Sequence, residues 1–293
     1  MTAFAPGAQV VKPDLGRFGV WIRGPMLPAN AVEVERLGYG AVWVGGSPTA
    51  ELSFVEPILA KTSTLQVATG VVTTWLAAPE AIAESFHRIE TAYPGRFLLG
   101  IGVGHPEALT QYRNPIEGLN AYLDKLDEYG VPANRRVIAA LGPRVLRLCS
   151  ERGAGAHPYL TTPEHSARAR ALMGPRAFLA PEHKALLVID AAQAREIGRQ
   201  NLEMYLGLKN YLNSWKRLGF TADDLVPPIS DRLIDAMIAY GTADVIAARL
   251  SEHLEAGADH VPIRVLGTAD QLLPALAALA VPLGLSHSDK EAP

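Results

Sequence analysis

Short apolar runs alternate with amphipathic stretches along most of the chain. Eight runs read as strands: 17–22, 41–45, 65–72, 97–103, 136–141, 154–160, 184–189 and 260–266. Most are continuously apolar and do not alternate with period two, as expected for strands buried on both faces of a parallel sheet. The segments between them carry helical stripes. Pro79 stands at a first helical position ahead of Ile82, Phe86 and Ile89. Asn114, Pro115 and Glu117 open a stripe of Ile116, Leu119, Leu123 and Leu126. Thr162-Pro163-Glu164 opens another helix. Thr242 opens one that runs to Gly257, and Thr268 with Asp270 opens the last.

Eight strand–helix units predict a (β/α)₈ TIM barrel filling the chain as one α/β domain over 1–293. Residues 1–15 read as an N-terminal extension and 286–293 as a flexible tail. An open doubly wound sheet is the rival, but Trp21-Ile22-Arg23-Gly24-Pro25 after the first run lacks its glycine fingerprint. The long segment 191–240, between the seventh and eighth strands, reads as a helical insertion divided at Pro227-Pro228. It either covers the mouth of the barrel or packs outside it.

Composition narrows the function classes. The chain has 293 residues, 48% hydrophobic and 19% charged, with a net charge of −3, so it supports a large core and offers no basic patch for nucleic acid. A single cysteine, Cys149, excludes an intrachain disulfide and fits a cytoplasmic protein. No signal-like start is visible, and the apolar stretch 272–285 is broken by Pro274, Pro282 and Gly284, so no membrane partner is expected. The histidines show no metal spacing, and Ser47 has no His/Asp neighbour to make it a nucleophile.

In a barrel, chemistry gathers where strands end. Gly70 interrupts the third strand and marks a bulge, a packing contact or a ligand approach. Gly100, Gly102 and Gly104 strip side chains from the end of the fourth strand, where bare backbone could meet a flat ligand or simply fit the barrel taper. His105 follows directly, placed to move a proton near neutral pH or to stand solvated in a loop. Thr161 and Thr162, at a helix start, form either an anion site or an ordinary cap. Trp43 is either barrel packing or a pocket wall.

Taken in order, several stretches carry a family likeness. They are Thr69-Gly70-Val71, the run 93–104 (Tyr93-Pro94-Gly95-Arg96 onward), 37–45, 155–165 and 255–261. Together they resemble the luciferase-like monooxygenase superfamily, and within it the branch dependent on the deazaflavin coenzyme F420. The resemblance implies a non-proline cis peptide at Gly70–Val71 behind the middle of a tricyclic ring, with Val103, Gly104 and His105 bordering that ring. It further implies that Thr161 and Thr162 approach the cofactor tail and that Trp43 belongs to the cofactor site. Two departures stand out. Many relatives carry Asp-His after the second strand, where this chain has Gly46-Ser47, and some carry an acid where His105 stands. The implied activity is hydride transfer between coenzyme F420 and a small organic substrate, with His105 as the catalytic proton carrier. An FMN-dependent monooxygenase is the alternative, and a barrel that binds a flavin-like ligand without turnover is a third reading. A homodimer through barrel helices is also implied.

Overall fold

The computed structural model describes residues 12–104 and 115–285. Its strands are β1 Phe18–Arg23, β2 Ala41–Gly45, β3 Gln66–Thr69, β4 Val72–Thr73, β5 Phe97–Gly102, β6 Arg136–Ile138, β7 Gly155–Ala156, β8 Phe178–Leu179, β9 His183–Leu186, β10 Ile238–Tyr240 and β11 Val261–Val265. Every pairing is parallel, and the hydrogen-bonded path runs β10-β9-β11-β1-β2-β3-β5-β6-β7-β8, with β4 beside β5. The result is a curled parallel sheet flanked by helices. Six of the expected strands stand within a few residues of their expected limits, although those at 136–141 and 154–160 shorten to β6 and β7.

Two expectations need correction. The third strand is not continuous over 65–72 but divides into β3 and β4 at Gly70–Val71. The seventh begins earlier than 184, at Phe178, and breaks at Pro181, whose nitrogen cannot donate to a neighbour. Its early part pairs with the sixth strand, where Ala180 N donates to Ala156 O and Glu182 N to Pro158 O. Its later part, β9, turns to β11 and β10.

One end of the path, β8, returns to the start of β11 at a seam. Asp259 N and His260 N both donate to Leu179 O, at 2.8 and 3.3 Å, joining β8 to the start of β11. The Asp259 carboxylate reinforces the join by accepting from Lys12 Nζ, Arg170 Nη2 and Leu179 N at 2.6, 2.6 and 2.8 Å. Arg170, on helix α6 (Pro163–Met173), also holds the carbonyls of Gly174, Ala177 and Gly257.

The expected helices form. Pro79 opens α3 (Pro79–Ala92), where Ile82, Phe86 and Ile89 are buried. Leu119, Leu123 and Leu126 are buried along α4 (Pro115–Glu128), while Asn114 lies outside the described residues. Thr242 caps α10 (Ala243–Glu255) by accepting from Val245 N, and Gly257 follows at φ +97°. Thr268 sits in a capping box ahead of α11 (Leu272–Ala280). The segment 191–240 holds α7 (Ala191–Leu202), α8 (Lys209–Arg217) and α9 (Asp231–Met237), and then strand β10, which the sequence pattern did not separate from helix. No helix among the described residues is long and apolar enough to cross a membrane.

Because Asp259 gathers three donors at the seam, Asp259→Asn should lower unfolding free energy by about 2 kcal/mol, the worth of a charge-assisted hydrogen bond. Urea denaturation followed by circular dichroism measures this, and an unchanged midpoint would show that the seam does not depend on the carboxylate.

Candidate active site

A cavity of about 520 Å³ opens at the C-terminal ends of the strands. Side-chain-poor backbone forms one side. Gly70 and Val71 stand between β3 and β4, and Gly102, Val103 and Gly104 at the end of β5. Crowding explains why these positions are bare. A β-carbon on Gly100 would lie 1.8 Å from Thr69 O, and one on Gly102 would lie 2.7 Å from Val71 Cγ2. Thr69 Oγ1 binds both Gly100 N and Gly100 O, at 2.7 and 2.9 Å, fastening β3 to β5 just before the break. The Gly70–Val71 peptide is cis, as the family resemblance implies.

Polar and aromatic groups complete the walls. Trp21 crosses the floor and its Nε1 donates to Gly70 O at 3.2 Å. The hydroxyls of Ser47 and Thr73 bond at 2.6 Å. Met204, Tyr205, Leu208, Tyr211 and Arg217 come from the segment 191–240, so that segment forms a wall of the cavity. Among the described residues three arginines, Arg23, Arg217 and Arg264, line the cavity and no acid does. Arg264 donates to Tyr159 Oη and lies 4.9 Å from the Trp21 ring centre.

Behind Tyr159 is a fully buried pair: Lys184 Nζ stands 3.1 Å from Glu182 Oε1 and 4.1 Å from the Tyr159 ring centre. Burial pushes the Lys184 ammonium down to about 8 against the pull of Glu182. The Tyr159 phenol is raised well above its ordinary range, first by burial and then by the Glu182 charge. Neither Glu182 nor Lys184 was singled out from sequence, because a charged pair two residues apart within a strand reads as solvated surface.

Beneath the cavity, Trp43, His157 and His260 form a stack. The Trp43 and His157 rings lie 4.4 Å apart at 21°. Trp43 Nε1 donates to His260 Nε2 at 3.0 Å, and His260 Nδ1 bonds Gly16 O at 2.7 Å. His157 Nδ1 bonds Ala180 O at 2.7 Å. A carbonyl only accepts, so both imidazoles carry their proton on Nδ1. Burial depresses both to about 4, leaving them neutral at pH 7.

The structure therefore brings together Gly70, Val71, Val103 and Gly104 on the cavity, and leaves Trp43, Thr161 and Thr162 out of its lining. Trp43 is completely buried packing under the floor, not a wall. Thr161 and Thr162 are buried and line no part of the cavity. Thr162 occupies the N-cap position of α6 without capping it through its side chain. The preceding turn is covered by α8, whose Trp215 Nε1 donates to Leu160 O at 3.2 Å. His105 lies outside the described residues. His157, on the cavity wall, was visible only as part of the run 154–160.

Comparison with known proteins bears on this arrangement. Residues 26–130 match the luciferase-like monooxygenase family. The resemblance seen in the sequence holds. Short stretches are also similar to F420-dependent glucose-6-phosphate dehydrogenases. One, from Gordonia bronchialis, is 35% identical over 75 residues, 25% of this chain and 22% of that protein. Another, from Kineococcus radiotolerans, is 37% identical over 93 residues, 28% and 27% of the two lengths. These matches thus span only about a quarter of either relative. Among solved structures, an F420-dependent secondary alcohol dehydrogenase with an F420-acetone adduct superposes with a TM-score of 0.69 at 11% identity, covering 91% of this chain and 98% of that one. The oxygenating constituent of 3,6-diketocamphane monooxygenase from Pseudomonas putida, in complex with FMN, superposes at 0.66 and 13% identity, covering 94% and 99%. At such identities the likeness concerns the fold.

The buried imidazoles set a pH dependence for stability. His157, His165, His183, His253 and His260 are all depressed, mainly by burial. Their folded values lie below the unfolded value of about 6.5, so as pH falls the unfolded chain takes up protons first. Stability is full above pH 6.5 and declines toward pH 4, each histidine contributing at most about 1.4 kcal/mol per pH unit. Urea midpoints at pH 7 and pH 5 should differ clearly, with the lower at pH 5. Equal midpoints would mean that these rings are not held neutral.

Proposed function

We propose that the protein is a luciferase-like oxidoreductase that binds coenzyme F420 across the cavity and transfers a hydride to or from a small organic substrate. The observation that carries this reading is the pairing of side-chain-poor backbone at Gly70, Gly102 and Gly104 with the aromatic side chains of Trp21, Tyr205 and Tyr211, in a cavity of about 520 Å³. Such a volume suits a cofactor ring with a small substrate. The charge inventory agrees: among the described residues the lining holds three guanidiniums and no carboxylate, which suits a phosphate-bearing ligand. The sheet is then read as a closed eight-stranded barrel, with 191–240 as an insertion over its mouth.

When bound, the deazaflavin ring supplies a carbon that accepts or releases hydride, and the protein supplies alignment and a water-poor site. Gly70, Val71, Val103 and Gly104 support the ring in this reading. Arg217 or Arg23 meets its phosphate-bearing tail, in place of Thr161 and Thr162. His105 directly follows Gly104 in the chain and is assigned the proton route. Replacing His105 by Ala should lower turnover more than cofactor affinity, and wild-type turnover in that variant would remove it from the mechanism.

A second reading has FMN in the same cradle and oxygen as co-substrate, favoured by the fold's likeness to the FMN-bound monooxygenase. Trp21 on the cavity floor provides the probe that separates the two. Titration of apoprotein with coenzyme F420 should quench tryptophan fluorescence at low micromolar concentration, with FMN binding more weakly. Tight FMN binding without F420 binding would select the monooxygenase reading. Binding of neither would reject both.

A further inference from the structure

His157 is fixed more firmly than packing alone requires. It is 2% exposed, and one ring nitrogen is committed to Ala180 O. One face stacks on Trp43, which is itself anchored through His260 to Gly16 O. The remaining nitrogen, Nε2, has no hydrogen-bond partner although it is buried. His157 lines the cavity, and its Nε2 lies 3.2 Å from where a β-carbon on Gly70 would stand. The donor that shares this place beside Gly70, Trp21 Nε1, is spent on Gly70 O. A buried acceptor without a donor is unfavourable, and in a cavity wall it is open to a donor of a bound molecule.

We propose that His157 Nε2 is a ligand-binding acceptor at the cavity floor, which takes an N–H or O–H donor of the bound molecule. The donor is either the hydroxyl or amine of a reduced substrate or an N–H of the cofactor ring. Because Nδ1 holds the proton for Ala180 O, Nε2 presents only a lone pair. A carbonyl or ether oxygen at the same point would set two lone pairs against each other. The floor therefore selects an alcohol or amine over its oxidised counterpart. The inference rests on the cavity being the ligand site, as the redox reading does, but not on which ring occupies it.

Nitrogen-15 NMR of histidine-labelled protein tests it directly. In the free protein His157 Nε2 should give the signal of an unprotonated ring nitrogen. That signal should move on saturation with cyclohexanol, coenzyme F420 or FMN, and stay in place with cyclohexanone. Movement with cyclohexanol assigns the donor to substrate; movement only with F420 or FMN assigns it to the ring. Two variants add an independent measurement. In His157→Asn the amide still reaches Ala180 O while the distal acceptor is lost. In His157→Phe the stacking on Trp43 survives without either nitrogen. Each should weaken the responsive probe about 10-fold or more, the effect of roughly 1.4 kcal/mol, whereas a packing role predicts wild-type binding in the Phe variant. A protonated Nε2 in the free protein, or a signal that none of the three donors moves, would overturn the proposal. Cyclohexanol binding without any cofactor binding would uphold it while removing the redox reading.

Discussion

A β-carbon on residue 100 would stand 1.8 Å from the Thr69 carbonyl oxygen, and the geometry of the mouth follows from that closeness. Because Gly100 has no side chain, β3 can press against β5, and the Thr69 hydroxyl can serve both the N–H and the carbonyl of Gly100. The chain then turns inward at Gly70–Val71, and Val71 fills the space that a side chain at 102 would have taken. The bare edge above this junction is a consequence of packing below it. The two explanations of the glycine run, taper packing and ligand approach, are therefore not alternatives. Gly100 answers to packing, while Gly102 and Gly104 border the cavity.

The floor is polar but carries little charge. Trp43, His157 and His260 pack six ring faces and five ring nitrogens into a buried layer, which is tolerable because the imidazoles remain neutral and take fixed tautomers. Glu182 and Lys184 follow the other solution to the same problem, full burial as a pair under the Tyr159 ring. Removing either partner would leave an uncompensated charge, so that pair constrains Tyr159, and Tyr159 in turn orients Arg264.

The architecture was legible because it rests on local pattern. Continuous apolar runs identified β1, β2, β5 and β11 nearly to the residue, and Pro79, Thr242 and Gly257 marked helix ends by their backbone chemistry. β8 was missed because a two-residue strand just ahead of Ala180-Pro181 gives no periodic signal, and β10 because it follows α9 without a break in apolar content. For the site, glycines were legible, since what they lack can be read from one residue at a time. His157 and Arg264 were not. Their significance lies in contacts between strands, 23 residues from His157 to Ala180 and 105 from Tyr159 to Arg264, which no local spacing records. Thr161 and Thr162 illustrate the converse. A helix start with two hydroxyls has the composition of an anion site, but α8 covers the turn beside it.

The two sides of the cavity are built for different tasks. The side made by β4 and β5 is backbone held by a dense inter-strand contact, and it has little freedom to adjust to one ligand over another. The opposite wall comes from 204–217, where Met204, Leu208, Asn210 and Asn213 carry varied and adjustable side chains. A fold that keeps one flat, rigid partner while accepting many second partners would divide its surfaces in this way. In the proposed reading, hydrogen-bond direction at His157 restricts whichever bound molecule supplies the donor, and the guanidiniums of Arg23, Arg217 and Arg264 favour an anionic group in the cavity. On this view the search for a substrate begins with the position of its donor hydrogen and only then with its skeleton.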